Sequence, residues 1–254
     1  MIEGLYGAIP ARFASTRLPG KPLIELAGEP MIRHVVRRAE EAGVFERVVV
    51  LTDDERIASA AESFGGDVEM TPAECASGTD RIAWATRRWP AAGAVVNIQG
   101  DEPLVDPAAL ARLGRCLAGR DGAPQADMVT LAAPLEGARI DDPNVVKVVC
   151  RSDGRALYFS RSPIPHRRHP DEGGAEALHH VGVYGYRRDV LLHLAALRPS
   201  PLERAEGLEQ LRALEHGVDL VVLSLDQPAV PGVDTEDDVP RVDALLRAHG
   251  ATHS

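Results

Sequence analysis

Lysine is almost missing from this chain. Of 28 basic residues only Lys21 and Lys147 are lysines, and the rest are arginines, a skew that a GC-rich coding sequence produces unaided. A lysine that survives such a skew is a candidate for chemistry arginine does not do, because a compact ammonium on a flexible stem is not equivalent to a planar fork. Cysteine is scarce as well. Cys75, Cys116 and Cys150 lie far apart without a CxxC pair, so nothing suggests a redox couple or a thiolate metal site, and all three read as reduced and structural. No apolar run approaches the roughly 20 residues of a membrane span, and MIEGLYGAIPAR lacks the basic-then-apolar order of a secretory signal. A cytoplasmic protein without a membrane partner is expected. An excess of positive charge is also lacking: the net charge is −10, which argues against a general nucleic-acid binder, since affinity for a phosphate backbone rests on a basic surface. Any anion must therefore be met by a local cluster of basic side chains.

The 254 residues are enough for one large domain with a sizeable core. Apolar runs of strand length occur at 5–9, 47–51, 94–98 and 127–132, separated by stretches of helical periodicity such as MIRHVVRRAEEAG, where Ile32, Val35, Val36 and Ala39 share a face and Gly43 is a natural stop. Strands alternating with helices predict an α/β fold with a mostly parallel sheet and helices on both faces. After about residue 140 the pattern changes. Residues 145–160 read as a hairpin turning through Ser152, Asp153 and Gly154, and RSPIPHRRHPDEGGAEA as a long irregular loop. A strand at HVGVYGY, helices over 188–197 and 203–216, a strand at DLVVLSL, a turn at PGVDT and a helix over 236–249 complete the chain.

Ligands in such sheets sit beyond the carboxyl ends of the strands, and three segments fall there. IPARFASTRLPGKPL follows the first strand and offers Arg12, Arg17 and Lys21 to phosphate oxygens. It is neither a Walker loop nor a GxGxxG fingerprint. NIQGDEP places Asp101 and Glu102 at the end of a central strand, where paired carboxylates suit a hard divalent cation. GVDTEDD places Asp234 after another strand, where it can supply a second ligand. Each has a plain structural alternative, a solvated loop or a helix cap; together at one edge they point to a polyphosphate and a metal ion.

These segments, with TDDERI, SGTDR, NVVKVV, LYFSRSPIP, HVGVYGYR and SPLERAEGLEQLRALEHG, occur in family order between residues 7 and 242. The chain thereby resembles the 3-deoxy-manno-octulosonate (Kdo) cytidylyltransferase family. The resemblance implies a Rossmann-like nucleotidyltransferase fold carrying an inserted β-hairpin and dimerisation subdomain. It also implies a homodimer, dependence on Mg2+, and transfer of CMP from CTP to a sugar acid with release of pyrophosphate. Within one domain spanning 1–254, residues 1–140 would mainly bind CTP, 141–220 the acceptor and the partner subunit, and 221–254 would carry the last strand, the metal-binding turn and a helix. Residue by residue, Arg12, Arg17 and Lys21 would hold the triphosphate; Ser77, Gly78 and Thr79, with backbone from Pro10 and Ala11, would frame the cytosine and ribose; and Gln99 would contact the nucleotide. Asp101 and Asp234 would bind magnesium. Arg161, His180, Tyr184, Glu209 and Gln210 would line the acceptor site, with Arg161 facing the substrate carboxylate.

Three positions depart from the family's habit: His179 where Arg or Lys is usual, Trp84 where Glu is usual, and Cys75 where His is common. The departures leave open a relative recruited to a small phosphonate, such as phosphonoformate, or to another acid of a natural-product pathway. A third reading, a non-catalytic nucleotide-binding protein, predicts loss of Lys21 or of the metal carboxylates, and both are kept. No Ser/His/Asp or Cys/His nucleophile is required for direct in-line transfer at phosphorus.

Overall fold

The computed structural model describes residues 3–14, 18–119, 126–135, 137–169 and 176–251. The alternation read from sequence becomes β1 (Leu5–Ala11), the two-residue strands β2 (Glu25–Leu26) and β3 (Glu29–Pro30), α1 (Met31–Glu41), β4 (Arg47–Thr52), α2 (Glu55–Ser63), β5 (Asp67–Met70), α3 (Gly78–Thr86) and β6 (Ala94–Asn97). Then follow α4 (Pro107–Leu117), β7 (Met128–Pro134), β8 (Lys147–Cys150), β9 (Ala156–Ser160), β10 (Leu178–Arg187), α5 (Arg188–Ala196), α6 (Pro201–Glu206), α7 (Gln210–Glu215), β11 (Leu220–Ser224) and α8 (Asp238–Ala251). Local chemistry sets several helix starts. Asp54 accepts from Arg56 N at α2, Asp106 caps α4 ahead of a first-turn proline, and Ser77 forms a reciprocal capping box with Asp80 at α3.

The main sheet runs β11-β7-β10-β6-β1-β4-β5. β6, β1, β4 and β5 are mutually parallel, as are β7 and β11, while β10 is antiparallel to both of its neighbours. The carboxyl ends of β1, β4 and β6 therefore share one edge with the amino-terminal half of β10. One face of the sheet buries Ile32, Val35, Leu110, Leu113 and Leu117 from α1 and α4; the other buries Ile82, Leu191, Leu194 and Leu211 from α3, α5 and α7. At about 25 cal/mol per Å2 of apolar surface these two layers are the main stabilising term. A smaller cluster packs Val242 and Leu246 of α8 against Leu26, Met31 and Leu104, which fixes the carboxyl-terminal segment beside the ligand edge.

Three expectations are corrected. The helix read over 203–216 is two helices: the chain breaks at Gly207, whose φ of 64° is left-handed. The last helix begins at Asp238, not 236, because Asp238 accepts from the backbone of Asp234 and Thr235 and so holds the preceding turn. Asp234 does not directly follow a strand either, since β11 ends ten residues earlier. The hairpin is β8–β9, joined to the sheet through β10. The main domain covers one of its faces, burying Val148 and Phe159 completely, while Leu157 is 57% exposed. The long loop after Pro165 falls partly outside the described residues. Among the described residues no helix is long and apolar enough to cross a membrane.

Candidate active site

The loop leaving β1 is pinned at its far end. Gly20 takes a φ of 70°, its N–H donates to Phe13 O at 2.9 Å, and a Cβ there would press on the Phe13 ring at 3.1 Å. A single 3-10 turn, residues Lys21–Leu23, follows at once, so the backbone beneath Lys21 is fixed and only its side chain is free to swing. Arg12 uses its guanidinium differently from the expectation. Nη2 donates to Cys75 O at 2.6 Å and Nη1 to Ala76 O at 3.2 Å, tying the first loop to the segment that caps α3. Arg17 lies outside the described residues.

A cavity of about 260 Å3 opens at this edge, lined by Pro10, Ala11, Arg12, Lys21, Gly78, Gln99, Gly100 and Asp101. Gly100 is needed for the close approach, because a Cβ there would stand 3.0 Å from Pro10 O. Six of the residues expected to hold CTP, with Asp101 of the expected metal pair, thus meet around one space. Ser77 and Thr79 lie next to it, engaged by Glu209: its Oε2 accepts from Thr79 Oγ1 at 2.9 Å and its Oε1 from Ser77 Oγ at 3.4 Å.

Asp101 also lines a second cavity of about 440 Å3, together with Asp234, Glu102, Arg139, Asn144, His179, His180 and Arg241. The two aspartates are 133 positions apart in sequence and are brought together by backbone: Val233 N donates to Asp101 O at 2.9 Å, and Gly232 packs against that same carbonyl. Lys21 Nζ sits between them, 2.7 Å from Asp101 Oδ2 and 3.3 Å from Asp234 Oδ1. Glu102, paired with Asp101 in the sequence reading, behaves differently. Burial, and then the charges of Asp101 and Asp234, push its pKa up to about 8, so near neutrality it mostly keeps its proton. Among the described residues no group of three or more His, Cys, Asp or Glu is placed to hold a metal ion by itself. Two carboxylates without a full protein cage suit a cation that keeps water and takes phosphate oxygens, as magnesium does.

The expected acceptor residues divide. His180 is 7% exposed and lies between Phe159, which it meets edge to face, and the tilted ring of Tyr184. The single proton of Thr130 Oγ1 goes to Val183 O at 2.8 Å, so the 3.1 Å contact with His180 Nε2 is donated by the ring, leaving Nδ1 as an acceptor. Burial lowers the pKa of His180 to about 3, and it is neutral. Tyr184, Glu209 and Gln210 border a narrow cleft with Thr79 and Tyr186. Burial raises the pKa of Tyr184 and of Glu209, and Gln210 Nε2 is buried without a partner, which a ligand oxygen would remedy. Arg161 lines neither cavity. Its Nε donates to Glu206 O at 2.8 Å and its Nη1 to Pro143 O at 2.9 Å, so the expectation that it faces a substrate carboxylate is not met in this conformation. Sequence reading missed the walls supplied by Arg139, Asn144 and Arg241. His179 was singled out only as a departure; it lines the second cavity, and burial lowers its pKa to about 4.

Comparison with known proteins identifies the family. Residues 7–220 match the cytidylyltransferase family. A 3-deoxy-manno-octulosonate cytidylyltransferase of Myxococcus xanthus is 52% identical over 242 residues, covering 95% of this chain and 96% of the relative. One of Syntrophotalea carbinolica is 49% identical over 255 residues, covering 96% and 98%. A solved structure of CMP:2-keto-3-deoxy-manno-octonic acid synthetase complexed with CTP superposes with a TM-score of 0.91 at 40% identity, covering 97% of this chain and 99% of the other. Identity and coverage of that extent show that the chain belongs to the 3-deoxy-manno-octulosonate cytidylyltransferases.

Proposed function

We propose that this protein transfers CMP from CTP to Kdo in the presence of magnesium and releases pyrophosphate. The observation that carries the reading is the shared wall: Asp101 borders both a basic cavity with Arg12 and Lys21 and a second cavity with Asp234 and His180. A triphosphate in the first and a sugar acid in the second would meet at that residue. The acceptor oxygen attacks the α-phosphorus in line, the bond to the bridging oxygen breaks, and Lys21 and Arg12 stabilise charge growing on the departing pyrophosphate. Asp101 and Asp234 would hold magnesium, which, when bound, supplies positive charge to phosphate oxygens and eases ionisation of an attacking hydroxyl. His180, on the wall of the second cavity, offers a neutral acceptor to a sugar oxygen, so it orients a polyol without adding charge. A homodimer built on the outer face of the hairpin would cover Leu157, and sedimentation at micromolar concentration tests this, a strictly monomeric mass removing it.

Purified protein with CTP, magnesium and Kdo is expected to form CMP-Kdo and pyrophosphate, with ATP and GTP poor substitutes. Asp101→Asn keeps volume and hydrogen bonding but removes a charged ligand, and should lower turnover at least about a hundredfold while the fold stays intact. Pyrophosphate release with a small phosphonate but with no 2-keto sugar acid would overturn the assigned acceptor.

A further inference from the structure

Resting on the assignment of Asp101 and Asp234 as metal ligands, we infer that Lys21 is a placeholder: its ammonium fills the position between the two carboxylates until the triphosphate of CTP draws it away, and only then does a divalent cation load. The ammonium is 2.7 Å from Asp101 Oδ2 and 3.3 Å from Asp234 Oδ1. A magnesium ion bound to those oxygens would stand about 2.1 Å from each, so ammonium and metal would occupy overlapping positions with like charge. Both cannot stay. Lys21 also lines the basic cavity beside Arg12, so phosphate oxygens placed there give the ammonium a second set of acceptors within reach of its flexible stem. The fixed 3-10 turn beneath it confines the exchange to the side chain.

This arrangement makes nucleotide and metal binding mutually reinforcing, because each removes an obstacle to the other. Without CTP, metal must displace a charge-assisted pair; with CTP, the carboxylates are released at the moment phosphate oxygens arrive to complete the coordination. A plain electrostatic staple, in which Lys21 only keeps two carboxylates from repelling each other, predicts the opposite effect of removing it: the aspartates would separate and bind metal no better or worse.

The test is Mn2+ binding to the full-length protein, read from the electron paramagnetic resonance signal of free Mn2+, with and without CTP and without acceptor. Wild type should bind Mn2+ weakly alone, and CTP should tighten binding beyond what CTP itself takes up. Lys21→Met keeps the length of the stem and removes the charge; without nucleotide it should bind Mn2+ at least about tenfold tighter than wild type, the scale of one charge-assisted contact. Lys21→Gln is the second variant if the first melts early. Equal or weaker binding by a folded Lys21 variant overturns the placeholder role. If Asp101→Asn leaves the CTP-dependent Mn2+ binding unchanged, the metal assignment itself is wrong, an outcome separate from failure of the exchange.

Discussion

Lys147 is the second surviving lysine and it has no access to a ligand. It is 0% exposed, and Nζ donates to Asp142 O at 2.9 Å, Val145 O at 2.7 Å and Arg161 O at 2.5 Å. All three donors of the ammonium are therefore spent on backbone carbonyls that close the entry to the hairpin, and no carboxylate shares them. Arginine does not fit the role, since its planar fork cannot converge on three carbonyls around one nitrogen. Lys147→Met fills nearly the same volume but leaves three carbonyls short of a donor. Hydrogen bonds from a charged donor contribute about 1.5–3 kcal/mol each, while removal of a buried ammonium refunds several kcal/mol of desolvation. The exposed neighbours Pro143 and Asn144 also let part of the loop rehydrate. The net loss expected is about 3 kcal/mol, which in a chain of this size lowers the melting temperature by roughly 6–12 °C. Thermal unfolding followed by circular dichroism measures it. A melting temperature within about 2 °C of wild type would refute the inference that these three bonds hold the hairpin in place.

Two further outcomes follow from packing and burial. A Cβ on Gly185 would stand 2.3 Å from Leu117 Cδ1 and 2.5 Å from Leu113 Cδ2 in the interior, so Gly185→Ala should cost about 1–3 kcal/mol in urea denaturation by overpacking, and a change below about 0.5 kcal/mol would mean that α4 shifts freely over β10. His180, whose folded pKa of about 3 lies far below its ordinary 6.5, is neutral in the fold, while the unfolded chain takes up the proton first. Its contribution is therefore complete above pH 6.5 and is lost progressively as pH falls towards 3. Between pH 7.5 and 5.5 wild type should lose about 1.4 kcal/mol that His180→Gln does not; an identical pH dependence for the two would show that the imidazole is hydrated.

How much of this was legible in the sequence depended on how far apart the causes lie. The strands and helices of the first hundred residues announce themselves, because alternation and helical periodicity act within a few positions of each other. β5 escaped because Asp67–Met70 is a four-residue edge strand with an exposed residue at each end. The break between α6 and α7 escaped because the apolar spacing runs straight through Gly207. Lys21, Asp101 and Asp234 could be named from their segments, yet nothing in those segments states that Val233 N would bond Asp101 O, and so nothing predicts that one ammonium would touch both carboxylates. Lys147 misled in the other direction: scarcity marked it for chemistry, whereas its surroundings make it structural. Arg12 lines the edge cavity that its segment suggests, but its grip on the carbonyls of Cys75 and Ala76 depends on a contact across more than sixty residues.

The direction of β10 explains why the two halves of the site differ in how readily sequence identifies them. A parallel strand beside β6 would reach the ligand edge with its carboxyl end and pass straight into a loop. β10 runs the other way, pairing Tyr184 with Asn97, so residues 178–183 project past the end of β6 on the ligand side, where Gln99 Nε2 donates to Gly182 O at 3.1 Å. The same end of β10 carries the hairpin, through the pairing of Leu178 with Val148 and of His179 with Lys147. The basic cavity is thus made by loops that leave parallel strands, each set by its own glycine, cap or turn. The second cavity is made by the start of one antiparallel strand and whatever is attached to it. A change at His179 or in the loop 137–145 can reshape the second cavity without touching Arg12, Lys21 or Gly100, which is why the departure from family habit at His179 coexists with an intact basic cavity.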